Sequence, residues 1–363
     1  MIRRWSAFVL SLLLASPAAF SQLPQPEIPD FAVPMNLKWM GPSDTLEVFV
    51  VGDIMSHGKV MRSAEEHGYS SFFKHIEDKI AGADIAVGNM EFPLAGKPYS
   101  GYPSFSGPSS FPKYLSEVGF DVLLTANNHI FDKGGDGASR TIRRLKEMDI
   151  LFTGISSDAA DDSLRNPLLV PARGICVAIV NFTYGTGSGG GRWPKVNYMN
   201  KDRLKPILQK ARRKADLVLV FPHWGNEYEH FHSPAQEDFA RFLVENGADA
   251  VIGGHPHVIQ DIQYIDGVPV VYSLGNAISN QNDLPARLEA ALTLRVVHRF
   301  GEPLRLLPLH FDYLWCTKAE MIEDGCAAVP VDTPDSLWRD AVDYGKMIST
   351  LSSLRKKGLI LED

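Results

Sequence analysis

Two histidines one residue apart, His255-Pro256-His257, follow the apolar pair Val251-Ile252 and the glycines Gly253-Gly254. A strand end carrying His-x-His aims both imidazoles at one place if the backbone bends at the glycines and at Pro256. Imidazole is the commonest protein metal ligand, and two convergent imidazoles make half a transition-metal site. A pair of exposed turn histidines is the plain alternative. Four other apolar runs end in similar chemistry, at Asp53, Glu91, Asn128-His129 and His223. Any one of these has an ordinary explanation, such as a helix N-cap for Asp53. All five together are hard to explain by packing, because the inner edges of a sheet are normally apolar.

The set offers two carboxylates (Asp53, Glu91), one carboxamide oxygen (Asn128) and three imidazoles (His223, His255, His257) as candidate ligands. That inventory suits one or two divalent ions such as Zn, Mn or Fe, and suits Ca poorly because Ca prefers an all-oxygen shell. A carboxylate such as Glu91 can bridge two ions. Two ions about 3.5–4 Å apart can hold a nucleophilic hydroxide and clamp a developing oxyanion. His129, beside Asn128 but not needed as a ligand, is the candidate proton donor to a leaving group, and Asn127 is the second catalytic candidate. Arg192, Glu227 and Asn276 are candidates for holding substrate. Arg192 and Trp193 lie in the glycine-rich stretch 183–193, which reads either as a mobile loop or as a substrate lid. It is no phosphate-cradling P-loop, because no Gly-Lys-Ser/Thr follows.

These residues need elements to carry them. Apolar runs at 46–51, 85–87, 122–125, 217–221 and 250–253 read as strands, and stretches at 72–81, 136–148, 202–214 and 234–246 read as helices between them. Open α/β sheets collect their ligands at the carboxyl ends of such strands. Runs at 168–170 and 175–182 read as a hairpin, and 268–273, 291–297 and 305–314 as further strands. A helix over 336–354, with Val342, Met347, Leu351 and Leu354 on one face, is expected to cover the fold.

The chain has 363 residues, 45% of them hydrophobic and 22% charged, enough for one large α/β domain or two smaller ones. A formal net charge of -7 argues against nucleic acid as a partner. It also argues against attraction to a polyanion outside the cleft, where a bound cation or Arg192 would reverse the local sign. Arg3-Arg4, the apolar stretch 7–15 and Ala19-Phe20-Ser21 before Gln22 read as a signal peptide over 1–21, either cleaved or kept as an anchor. Residues 22–44, with Pro24, Pro26, Pro29, Pro34 and Pro42, read as a linker, 45–335 as the main domain and 336–363 as a helix and tail. Cys176 reads as a buried small hydrophobe. Cys316 and Cys326 are close enough in sequence to close a disulfide loop in an oxidising compartment.

Taken in order, Val51-Gly52-Asp53-Ile54-Met55, Gly88-Asn89-Met90-Glu91, the run from Ala126-Asn127-Asn128-His129 to Gly134, His223-Trp224-Gly225-Asn226-Glu227-Tyr228, Gly254-His255-Pro256-His257 and Ser273-Leu274-Gly275-Asn276 resemble the CapA family of poly-γ-glutamate capsule biosynthesis proteins. The resemblance spans 46–280, and that family is similar in turn to the calcineurin-like metallophosphoesterases. It implies a four-layer α/β/β/α sandwich with metal ligands on loops at the carboxyl edges of the sheets. Asp53 matches the first-motif aspartate, Glu91 the bridging carboxylate, Asn128 and His129 the Asn-His pair, His223 the lone histidine, and His255 and His257 the final pair. Two departures follow. Met55 stands where phosphoesterases carry the histidine of Asp-x-His, which leaves one metal position a ligand short, and His57 has the wrong spacing to replace it. Ala277 replaces an aromatic after Asn276.

The signal segment implies a protein of the periplasm or cell surface, cleaved or kept as an anchored chain, and the resemblance implies a role in capsule polymer synthesis, transport or anchoring. It leaves three readings: a metal-dependent hydrolase or transferase on γ-glutamyl polymer or a small envelope substrate, a phosphoesterase by fold analogy alone, and a non-enzymatic subunit handling anionic polymer beside a membrane synthase. Met55 counts against the second.

Overall fold

The computed structural model describes residues 44–187, 191–299 and 302–361. The expected signal segment over 1–21 and, apart from Asp44, the expected linker lie outside the described residues. Two sheets stack face to face. The larger runs in the order Ala328–Pro330, His310–Cys316, Leu288–Val297, Thr45–Ile54, Ile85–Met90, Val122–Leu124, Leu151–Thr153. Asn276–Ile278 is added beside the end of Thr45–Ile54. The smaller sheet runs Ile262–Ile265, Val268–Val271, Ala250–Ile252, Leu217–His223, Ile175–Thr183, Leu168–Ala172. In each sheet the strands that end in candidate ligands run parallel, so their carboxyl ends share an edge.

Both faces of these strands are buried, which is why they read as near-continuous apolar runs. Along Thr45–Ile54, Leu46, Val48 and Val50 meet Val177, Ile179, Leu217 and Leu219 of the smaller sheet in the inter-sheet core. Phe49 and Val51 face the other way, onto Val60, Ile80, Leu115 and Ile142 of the helices Gly58–His67, Glu77–Gly82, Ser110–Val118 and Gly134–Glu147. Across the smaller sheet, Val180 and Val218 pack on Leu204 and Leu208 of Lys201–Lys214 and on Phe239 and Leu243 of Pro234–Glu245. The result is the four-layer α/β/β/α sandwich. The helix starts are written locally: Asn200 Oδ1 accepts from Arg203 N, and Ser233 forms a capping box with Gln236 ahead of Pro234 at the first turn.

Several expectations shift. The helix expected over 72–81 is only Glu77–Gly82, after a 3-10 turn at Tyr69–Ser71. Phe72 and Phe73 are adjacent and both fully buried, against Phe111 and Phe120 respectively, which one helical face cannot provide. The hairpin is present, turning at Arg173 and Gly174, both with positive φ as a two-residue turn requires. The strand expected over 305–314 splits into Arg305–Leu306 and His310–Cys316 around Pro308, which has no ladder donor. The C-terminal helix is Ala341–Lys356. Met347, Leu351 and Leu354 join the inter-sheet core, whereas Val342 is 61% exposed. Cys316 and Cys326 are free thiols, not a disulfide. The Cys316 sulfur is hydrogen-bonded to Ser279 N at 3.1 Å and Ser279 O at 3.3 Å. Cys176 is half-buried, at the open end of its strand. Among the described residues, no helix is long and apolar enough to cross a membrane.

Candidate metal centre

The candidate ligands arrive from both sheets. Thr45–Ile54 and Ile85–Met90 deliver Asp53 and Glu91, while Leu217–His223 and Ala250–Ile252 deliver His223, His255 and His257. A shift in pairing between Val51 and Asp53 marks a bulge at Gly52, which re-aims Asp53 at the strand end. Gly254 lets the chain pass close to the aspartate, because a Cβ there would stand 2.9 Å from Asp53 Oδ1. The bend expected at Gly253-Gly254 and Pro256 falls partly on the histidines themselves. His255 and His257 take φ of 99° and 60°, strained values for side-chain-bearing residues that tight surroundings must hold.

The side chains converge. His255 N donates to Asp53 Oδ2 at 3.1 Å, and His257 Nδ1 lies 3.3 Å from the same oxygen. Glu91 Oε1 is 3.6 Å from His223 Nε2, 3.9 Å from His129 Nε2 and 4.0 Å from His257 Nε2. Two groups, Asp53–Glu91–His223 and Glu91–His255–His257, each hold their ligand atoms within 4.8 Å of one another, and Glu91 belongs to both. Neither includes His57, whose Nδ1 accepts from Asn280 N at 3.2 Å.

A test of fit comes from hydrogen-bond accounting. Glu91 is fully buried, yet among the described residues neither carboxylate oxygen has a hydrogen-bond partner, and the same holds for His255 Nδ1. Buried polar atoms are normally satisfied. Three such atoms facing one place are what a cation between them would satisfy, and the mixed imidazole–carboxylate set fits a borderline divalent ion.

The charges are arranged accordingly. Burial opposes ionisation of Asp53, but the hydrogen bond from His257 and the nearby His223 and His257 rings outweigh it and hold this carboxyl well below the usual range. Burial likewise opposes protonation of His257, yet Glu91 and Asp53 lift its pKa to about 9. His257 therefore carries the positive charge that answers the two acids. Burial pushes His255 far below its ordinary value and His57 down to about 4.

The remaining candidates take distinct places. Asn128 Oδ1 is 3.0 Å from His223 Nε2. His129 lies at the rim, its Nδ1 2.9 Å from Asp132 Oδ2. Burial alone would lower its pKa, but Asp132 and Glu91 raise it. Asn127 is fully buried behind the site, donating to Met90 O and Asn89 Oδ1. Asn276, expected to touch substrate, is fully buried. It places Oδ1 2.9 Å from His257 Nδ1 and donates to Ala286 O, so it orients that ring. Glu227 lines a cavity of about 470 Å³ with Met55, His57, Tyr102, His129 and His257, a size suited to a small ligand or a polymer segment. Arg192 is exposed and lines neither this cavity nor the ligand groups.

Sequence reasoning passed over several residues. Asn89 donates to Asp53 Oδ1 at 2.7 Å, and Asp132 follows His129 by three residues; both lie inside the motifs that carry the CapA resemblance. The Tyr184 ring lies 4.5 Å from that of His255, tilted by 40°. Glu289, an acid in the apolar strand Leu288–Val297, is fully buried and accepts from Gly52 N, behind Asp53. Its sequence signal is one carboxylate between Leu288 and the apolar Ala290-Ala291-Leu292.

A family model described as "Bacterial capsule synthesis protein PGA_cap" matches residues 47–281, a span holding every ligand named above. The chain belongs to this family. PGA_cap relatives include "Capsule biosynthesis protein CapA" of Bacillus anthracis, 33% identical over 66% of this chain, and "PGA biosynthesis protein CapA" of Bacillus subtilis (strain 168), 31% identical over 66%. The chain spans 61% and 64% of those relatives' lengths. Among solved structures, a 5'-nucleotidase from Candida albicans is similar, at 14% identity and a TM-score of 0.44 over 77% of this chain and 53% of that one.

Proposed function

We propose that this PGA_cap protein is an exported, divalent-metal-dependent hydrolase or transferase acting on γ-glutamyl or related envelope polymer during capsule biosynthesis. The observation that carries the reading is Glu91, a fully buried carboxylate with neither oxygen hydrogen-bonded among the described residues, at the junction of two imidazole–carboxylate groups. Asp53, Glu91, Asn128, His223, His255 and His257 are the residues that would hold one or two ions, with Zn, Mn or Fe preferred over Ca. Bound there, a divalent ion supplies Lewis acidity toward a substrate carbonyl or phosphoryl oxygen. Asn276 fixes the His257 ring, and Asn89 fixes the Asp53 carboxylate. His129 engages Asp132 through Nδ1, which leaves Nε2 to deliver a proton to a leaving group in the 470 Å³ cavity. Glu227 and Tyr228 form the outer wall of that cavity.

The test is turnover of γ-linked glutamate oligomers by chelated protein restored with Zn or Mn, with metal quantified in the same preparation. Metal-dependent cleavage or transfer supports the reading. Cleavage of aryl phosphates alone would replace it with a phosphoesterase. Metal-loaded protein inert on both would replace it with a polymer-handling subunit.

A further inference from the structure

Although the chain is acidic overall, four cations gather beside a single acid around one of its cavities. A cavity of about 550 Å³ lies between loop 95–98 and the N-terminal half of the helix Gly134–Glu147. Lys97, Lys133, Arg140 and Arg143 line it against a single acid, Asp136. Arg143 has Glu147 at 3.7 Å, whereas Lys97, Lys133 and Arg140 form no ion pair among the described residues. Cations gathered around one cavity raise the local positive potential and attract an anion to it.

The cavity is built rather than incidental. Leu94 N donates to Thr141 Oγ1 and Ser106 Oγ donates to Gly96 O, both at 2.7 Å, so the loop is tied to the helix and to the neighbouring stretch of chain. Gly96, at φ +93°, leaves the Arg140 guanidinium room against the loop, since a Cβ would stand 3.1 Å from its Nε.

Its walls continue into those of the metal centre. Lys133 follows Asp132, the partner of His129, and Ser106 follows Phe105, whose N–H donates to Asp132 Oδ2 and whose ring lies 4.7 Å from that of His129. We propose that this basic cavity is a second binding site, taking the side-chain carboxylates of a γ-linked oligoglutamate whose neighbouring segment reaches the metal centre. The inference rests on the polymer reading above for the identity of the anion. Arginine forks bind carboxylate and phosphate alike. The spread of four cations around so large a cavity favours a chain of repeated charges over one compact ion.

The test is calorimetric titration of chelator-treated, full-length protein with γ-linked glutamate oligomers and, separately, with inorganic phosphate. Without metal there is no turnover, so this site and the catalytic reading fail independently. The oligomer is expected to bind, more weakly as salt rises. Lys133→Ala combined with Arg140→Ala, both exposed positions, is expected to loosen it roughly tenfold with the thermal midpoint unchanged. Equal affinity in the double variant, no oligomer binding, or binding of phosphate without the oligomer would each overturn the proposal.

Discussion

Glu91→Gln keeps the shape of the side chain and removes its charge, and the structure sets what should follow. In the metal-free protein two effects oppose each other. The amide leaves two buried polar atoms in place but relieves the burial of a charge, which costs several kcal/mol in a protein interior. Against that, the carboxylate faces protonated His257 at 4.0 Å, a contact worth about 4 kcal/mol at an effective dielectric near 20. The terms nearly cancel, so metal-free Glu91→Gln should lie within roughly 2 kcal/mol of the unaltered protein. Metal separates the two. At an ion concentration a hundred times Kd, the unaltered protein gains about 2.7 kcal/mol, or roughly 4 °C in a chain of this size. The Glu91→Gln variant would offer one neutral oxygen to both ligand groups and should show almost no gain. The assay is a pair of thermal melts, chelated and with Zn or Mn restored, beside metal content by mass spectrometry. An equal metal-induced rise in both proteins would refute Glu91 as a shared ligand. Collapse of the metal-free variant would make its role structural.

Metal binding should release close to one proton from His257, because its pKa of about 9 keeps it protonated at neutral pH and a ligand must be neutral. Apparent affinity should thus climb between pH 7 and 9, and calorimetry in buffers of different ionisation enthalpy would count the proton; a pH-independent affinity contradicts this. His129→Ala should slow turnover by about 10²–10⁴ while leaving bound metal unchanged, and a variant that loses metal would reassign the residue. Glu289 is held neutral by burial, with its pKa raised to about 8 against an ordinary 4.5. Its contribution is fully present below pH 4.5 and is lost as pH rises toward 8, at roughly 1.4 kcal/mol per pH unit. Chelated Glu289→Gln should lack that slope in denaturant unfolding between pH 5 and 8, and matching slopes would show that Glu289 does not titrate there.

Much of the site was legible because each ligand closes an apolar run. Asp53, Glu91, His223 and the His255–His257 pair stand where a buried parallel strand meets the sheet edge, and a polar group there is conspicuous in sequence. Which sheet each strand joins was not legible from periodicity, since strands buried on both faces look alike; the meeting of Glu91 with His223 is a fact of stacking. Asn276 looked like a substrate contact because it ends a motif, yet the strand Asn276–Ile278 pairs beside Asp53 and turns its carboxamide under His257. Arg192 drew notice through its glycine-rich neighbours, a compositional signal that carries no direction. The basic cavity was invisible for another reason. Lys97 lies far along the chain from Arg140, and only the packing of loop 95–98 on a helix gathers their charges in a chain whose total is acidic.

The most direct measurement is anomalous diffraction from crystals of the full-length protein grown with Zn or Mn. A shared metal centre predicts a peak about 2.0–2.2 Å from a Glu91 oxygen and from imidazole nitrogens of His223 or of His255 and His257. A metal-saturated crystal with no peak among these side chains, or with its ion bound elsewhere, would contradict it.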